Sequence, residues 1–211
     1  MSHSVGIANL GPEQPKSFAF TPENLEKARA IIAKYTPGRQ QSAVMPILDL
    51  AQRQNDNWLP LAAMDAVADM LGMPRVKAYE VATFYSMYNL KPVGKHFVQI
   101  CTTTPCWLRG SDGIVGACKS KLGIDPGETT ADRQFTVIEV ECLGACVNAP
   151  MVLIGDNYYE DLTPERMEAM IDALREGRQI TTGSQAGRHG SQAAPGPTSL
   201  HDMAKASGIE G

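Results

Sequence analysis

The sequence predicts an α+β protein: a flexible lead over residues 1–20, an N-terminal helical bundle over 21–92, a compact α/β unit over 93–178 and an extended tail over 179–211. Three observations predict it. Apolar residues recur at helical spacing up to about residue 90. From residue 96 the apolar runs become short and strand-like, and helices alternate with them. Beyond residue 178 the composition turns to Gly, Ser, Gln and Ala, with Pro195 and Pro197, which offers little to bury in a core of its own.

The helices announce themselves at their starts. Thr21-Pro22-Glu23 places an N-cap residue, a proline suited to the first helical position and an acid in the first turn, and Leu25, Ala28, Ile31 and Ile32 follow at helical spacing up to Pro37-Gly38. A second helix is expected from about Gln41 to Asn55, with Val44, Ile47, Leu48 and Ala51 on one face and Asp56-Asn57 closing it. A third follows Leu59-Pro60 and carries Leu61, Met64, Val67, Ala68 and Leu71 before Gly72. A fourth starts near Pro74 and carries Val76, Tyr79, Val81, Phe84 and Tyr88, ahead of a turn at Lys91-Pro92-Val93-Gly94. In the α/β unit, His96–Ile100 reads as a strand leading into Cys101, Ser111–Leu122 as a helix ending at Gly123, Phe135–Val140 as a strand leading towards Cys142, and Met151–Ile154 as a third strand. Thr163-Pro164-Glu165 repeats the helix-start signal, and Met167, Met170, Ile171 and Leu174 carry that helix to Gly177.

Composition excludes several classes. The chain is 43% hydrophobic and 20% charged with a formal net charge of −4, so it lacks the basic excess of a nucleic-acid binder. No apolar run approaches the roughly 18 residues of a membrane span; the most apolar region, Leu143–Gly155, is broken by Asn148 and Pro150. The N-terminal residues have neither a secretory layout nor an Arg-rich targeting pattern, which predicts a cytosolic protein. There is no GxGxxG, P-loop or nucleophile elbow, so no dinucleotide site and no catalytic residue can be named.

Four of the five cysteines form two tight pairs, C-T-T-T-P-C at 101–106 and C-L-G-A-C at 142–146. Clustered cysteines in a reducing compartment point to metal or redox chemistry. Each pair follows a predicted strand, so neighbouring strands would bring Cys101, Cys106, Cys142 and Cys146 to one sheet edge, where four thiolates can hold an iron–sulfur cluster. Gly144 and Ala145 permit close approach, and Pro105 stiffens the first loop. A structural zinc site competes, but zinc knuckles use shorter C-x2-C pairs. A thioredoxin-type dithiol competes too, but its C-x-x-C is missing. The spacing leaves open whether the cluster has two irons or four. Cys118 shares helical spacing with Ile114 and Leu122 and reads as a small buried hydrophobe. His96 has no partner at ligand spacing and reads as a surface or packing residue. Tyr79, Phe84, Tyr85 and Tyr88 read as core or partner-facing aromatics, and Trp107 either shields a cluster or packs at a loop edge.

At these residues the chain resembles the family of the 24 kDa subunit of respiratory complex I, the NADH:quinone oxidoreductase. The stretches that carry the resemblance are VMPILDLAQRQN at 44–55, KAYEVATFYSMYNLKPVGK at 77–95, CTTTPCWLRGSD at 101–112 and ECLGACVNAPMVLIGDNYYEDLT at 141–163, with a weaker echo in PGPTSL at 195–200. The resemblance implies a thioredoxin-like domain over 93–178, with a 2Fe–2S cluster on Cys101, Cys106, Cys142 and Cys146. It implies electron transfer as one subunit of an oxidoreductase, without a complete active site on this chain. FMN and NADH are implied on a flavin-binding partner, next to a large iron–sulfur subunit of the hydrophilic arm. The implied location is the cytoplasmic side of a bacterial inner membrane, or the matrix side in a mitochondrion, attached through the complex. The alternative is the equivalent subunit of an NAD-dependent formate dehydrogenase or an NAD-reducing hydrogenase.

Overall fold

The computed structural model describes residues 14–193 and 199–208. Most of the PGPTSL stretch and residues 1–13 of the lead lie outside the described residues. The chain divides into two compact units after Val93.

In the first unit the described residues form the helices α1 (Pro22–Ile32), α2 (Val44–Gln54), α3 (Leu61–Leu71) and α4 (Arg75–Phe84). The local signals work as the residues imply. Thr21 caps α1 by accepting from Asn24 N at 3.3 Å, and Gly72 ends α3 in the left-handed conformation. Ile47, Leu48, Ala51, Leu59, Met64, Val67 and Leu71 form the core. Gln52 is buried beneath the turn after α4, donating to Met87 O at 3.0 Å and accepting from Asn89 N at 2.7 Å.

Three expectations need correction here. The second helix opens with a 3-10 turn at Gln40–Ala43, and α-geometry begins only at Val44. Pro46 explains the difference: it has no N–H to give, so it is tolerated only in a first turn, where that N–H has no partner. In α4 the inward residues are Ala78 and Ala82, whereas Val76 and Phe84 are 55% and 79% exposed. The helix ends at Phe84, so Tyr88 reaches the core from the following turn, and its hydroxyl donates to Met45 O at 2.9 Å. Close helix packing selected the small side chains over the larger apolar ones. The lead is also partly fastened: Phe18 and Phe20 pack on the core, and Gln14 Oε1 accepts from Leu61 N at 2.9 Å.

The second unit is built on a five-stranded sheet in the order β2-β1-β3-β4-β5, where β1 is His96–Cys101, β2 Phe135–Val140, β3 Val152–Ile154, β4 Asn157–Glu160 and β5 Gly183–Ser184. Its helices are α5 (Thr104–Leu108), α6 (Ser111–Leu122), α7 (Pro164–Arg175) and α8 (His201–Ala206). The strands β1 and β2 are parallel, with Val98 opposite Val137 and Cys101 opposite Val140. Parallel neighbours need a long crossover, and α6 lies on it. The register is set where the strands begin. Gly94 N donates to the Thr136 hydroxyl at 2.6 Å, and a Cβ on Gly94 would lie 2.5–2.8 Å from Phe135 backbone atoms. The core joins Val98, Ile100, Phe135 and Val152 with Ile114 and Cys118 of α6 and Met167 and Ile171 of α7.

Two elements lie beyond what the sequence predicts. The strand β4 follows β3 through Gly155-Asp156 and pairs with it antiparallel. The start of the supposedly extended tail is docked: β5 pairs with β4, Ile180 packs on the core, and Arg188 forms an ion pair with Asp161 at 2.8 Å. Short β5 covers part of the open edge that β4 would otherwise present.

Two outcomes test this packing. Gly94→Ala cannot fit without moving Phe135 backbone, and we expect a loss of about 2 kcal/mol or more of stability in urea denaturation. His96 is half-buried, its Nε2 has no hydrogen-bond partner, and its ring packs on Phe135 at 5.1 Å between centroids. Burial, then Lys95, lowers its pKa. A lowered imidazole pKa favours the neutral form, so this stability is present above the ordinary value of about 6.5 and is lost as pH falls below it. Urea midpoints should drop on acidification through that range, and His96→Phe should flatten that part of the dependence.

Candidate metal centre

The parallel register delivers both cysteine pairs to one end of the sheet. Cys101 is the last residue of β1, and Cys142 follows the end of β2 by two residues. The four residues between Cys101 and Cys106 are not a plain loop. Pro105 stands in the first turn of α5, which turns Cys106 inward. Cys101 and Cys106 are 2% and 1% exposed, whereas Cys142 and Cys146 are exposed to solvent. Gly144 supplies the left-handed turn between that second pair with a φ of 92°, and a short 3-10 turn, Cys146–Asn148, leads to the cis Ala149–Pro150 bond and into β3.

One apolar cluster serves both pairs: Cys101, Cys106, Ala149 and Met151 are buried together, with Leu143 and Ala145 of the second loop packed against them. Cys142 Sγ and Cys146 Sγ are 3.4 Å apart. Tetrahedral thiolates about 2.3 Å from a metal stand roughly 3.7 Å apart, so this pair is nearly at ligand spacing. Among the described residues, no three His, Cys, Asp or Glu side chains converge as ligands of a single ion. The thiols are therefore arranged as two pairs, not as one closed tetrahedron.

The pairs are also matched electrostatically. Burial pushes the Cys101 thiol up, but hydrogen bonds from the Thr103 hydroxyl and from the Leu143 and Thr103 backbone N–H groups outweigh it and leave its pKa lowered. Its neighbour Cys106 is pushed up to about 12 by burial, and further by its contact with Cys101. In the exposed pair, the Gly144 N–H and then Cys146 lower Cys142, while the hydrogen bond to Cys142 raises Cys146. In each pair one thiol is thus lowered and the other raised. Thr103 Oγ1 lies 3.4 Å from Cys101 Sγ and also acts on Cys142, which links the pairs. Thr103 carried no signal in the sequence, since its role arises only where β1 ends beside the second loop. The Tyr158 hydroxyl, donating to Leu143 O at 2.7 Å, is another such contact.

The remaining candidates fall elsewhere. Cys118 lies in the core between α6 and the sheet, 1% exposed, as its helical spacing implies. Trp107 is 56% exposed. A cavity of about 310 Å³, lined by Arg109, Pro150, Asp161, Arg166 and Arg188 among others, opens near the docked tail, and no cysteine lines it. No helix among the described residues is long and apolar enough to cross a membrane.

Comparison with known proteins places this arrangement. The family model described as thioredoxin-like [2Fe-2S] ferredoxin matches residues 28–175. The chain is 64% identical over 159 residues to a protein of Rickettsia bellii (strain RML369-C) named as a subunit of NADH-quinone oxidoreductase, covering 75% of this chain and 95% of that protein. It is 52% identical over 183 residues to NADH dehydrogenase [ubiquinone] flavoprotein 2, mitochondrial, of Dictyostelium discoideum, covering 87% of this chain and 74% of that one. Among solved structures, an NAD+-reducing [NiFe]-hydrogenase in the H2-reduced state shares the fold with a TM-score of 0.55 at 20% identity, over 64% of this chain and 23% of that chain. A paired-cysteine sheet edge, a family match over most of the chain and relatives of this identity agree: the chain belongs to the thioredoxin-like [2Fe-2S] ferredoxin family.

Proposed function

We propose that this chain is the iron–sulfur electron-transfer subunit of an NADH:quinone oxidoreductase, holding one 2Fe–2S cluster on Cys101, Cys106, Cys142 and Cys146. The observation that carries the reading is the pairing of four thiols around one apolar cluster at the shared end of β1 and β2. The donor set fits a binuclear cluster: four sulfur ligands in two pairs, two for each iron. The relatives named as subunits of NADH-quinone oxidoreductase share far more sequence than the hydrogenase, whose likeness is one of fold.

A bound cluster supplies reversible storage of one electron. The residues of this chain determine how that electron is held. Cys101 and Cys106 form the dry side of the site, and Met151 and Ala149 keep water from it. Backbone N–H groups of Thr103, Leu143 and Gly144 aim at the sulfurs of Cys101 and Cys142, and hydrogen bonds of this kind tune reduction potential. Cys142 and Cys146 form the exposed side, the one a redox partner can approach closely. That partner is a flavin- and NADH-binding subunit, with a large iron–sulfur subunit beside it, in a peripheral arm on the cytoplasmic or matrix side of the membrane. NADH oxidation belongs to the partner.

The anaerobically purified chain should contain about two irons and two sulfides and give a rhombic EPR signal on one-electron reduction. Serine at any of the four positions should abolish or transform that signal, and Cys118→Ser should leave it intact; zinc in place of iron, or loss of the signal in Cys118→Ser alone, would refute the assignment. Metal-free chain offers a second check. Cys142 is exposed with a lowered pKa, whereas burial pushes Cys118 up to about 12. Iodoacetamide should modify Cys142 first and Cys118 last, and cluster loading should protect all four paired cysteines.

A further inference from the structure

Asn148 follows Cys146 by two residues and is 3% exposed. Its side-chain amide donates twice, to Glu160 Oε2 at 2.7 Å and to Gly190 O at 2.8 Å. Its backbone is equally committed: Asn148 N donates to Ala145 O at 3.0 Å, and Asn148 O accepts from Asp161 N at 2.8 Å. One residue thus joins the second cysteine loop, the end of β4 and a tail segment 42 positions away. The Asn148 Oδ1 atom is buried without a hydrogen-bond partner. An unpaired buried acceptor is costly, so the amide keeps this orientation only because both of its donor bonds hold it.

The tail bond is itself clamped. Arg188 grips Asp161 in two-pronged fashion, Nη2 to Oδ1 at 2.8 Å and Nε to Oδ2 at 3.0 Å, and its Nη1 donates to Gln192 O at 3.1 Å. The Ser184 hydroxyl donates to Asp161 Oδ2 at 2.6 Å and accepts from Arg188 N at 3.1 Å. The two side chains of the ion pair are 18% and 7% exposed, so solvent screens this two-pronged contact less than a surface pair. Gly190 lies between Arg188 and Gln192, so the clamp fixes the carbonyl that Asn148 uses.

We infer that Asn148 is a positioning residue for the Cys142–Cys146 loop, and that residues 183–192 form a strap that holds Asn148 in its working orientation. The inference rests on the cluster assignment above and adds a means by which the tail reaches the site. Cys146, Ala145 and Asn148 move together through the 3-10 turn, so a released Asn148 loosens the exposed side of the ligand set. Supports of metal ligands of this kind change affinity by about 10-fold or more when removed.

The test uses the full chain with its cluster, as wild type, Asn148→Ala, Arg188→Ala, Arg188→Lys and Lys121→Ala. The last breaks the Lys121–Asp172 ion pair between α6 and α7, at 2.7 Å, and reports general destabilisation. We expect Asn148→Ala and Arg188→Ala to shift the EPR line positions and the reduction potential and to release iron to a chelator about 10-fold faster. Arg188→Lys, which keeps the charge and loses the two-pronged grip, should fall between them and wild type. Lys121→Ala should leave the potential and the spectrum unchanged. If Asn148→Ala does not fold, Arg188→Lys carries the test. Wild-type spectra, potential and iron release in the Asn148 and Arg188 variants, with only a lower urea midpoint, would overturn the strap. Wild-type chain that binds no iron and sulfide would instead overturn the cluster assignment.

Discussion

The structure of the second unit depends on one constraint, the parallel pairing of β1 with β2 in a fixed register. Parallel strands present their C-terminal ends on the same side, so whatever follows each strand emerges together. Here that is Cys101 at the end of one strand and Cys142 just past the end of the other. A slip of one residue would invert the side chains of a strand, burying what is now exposed and turning Cys101 away from the second loop. The register is protected at the opposite end. Gly94 fits against the Phe135 backbone, and backbone bonds from Lys95 to Arg133 and from His96 to Gln134 start the ladder.

From that register the chemistry of the site follows. Helix α5 turns Cys106 inward beside Cys101, so one pair is dry; the Gly144 turn leaves the other pair at the surface. Burial raises thiol pKa values, and the local N–H and hydroxyl donors bring one thiol of each pair back down. The same donors favour negative charge on sulfur whether a proton or a metal is the competitor. A dry side and an accessible side within one group of cysteines suit electron transfer: insulation behind, a short path in front.

Much of this is legible in the sequence, and the parts that are not have separate physical causes. The caps at Thr21 and Thr163 and the stops at Gly72 and Gly123 are local chemistry, and the helices they bound lie where their residues predict. The paired cysteines stand out by spacing. Pro46 shortens a helix through a rule as local as those caps, and the Gly155-Asp156 turn into β4 is a hairpin signal of the same kind. The Ala78 and Ala82 face of α4 is hidden because periodicity ranks residues by hydrophobicity and not by the closeness of a neighbour. Thr103, Tyr158, Asn148 and Arg188 are illegible for a different reason. Their long-range partners are set by tertiary placement, Cys142 for Thr103 and Asp161 for Arg188, 27 residues away, and no pattern along the chain encodes such a contact.

In the proposed centre, Cys101, Cys106, Cys142 and Cys146 supply every protein ligand to a pair of irons. X-ray absorption at the iron edge of the loaded full-length chain tests it most directly. Each iron should see four sulfur neighbours, two bridging and two from cysteine, and one iron neighbour. A nitrogen or oxygen ligand at either iron, or the absence of an iron neighbour, would contradict it.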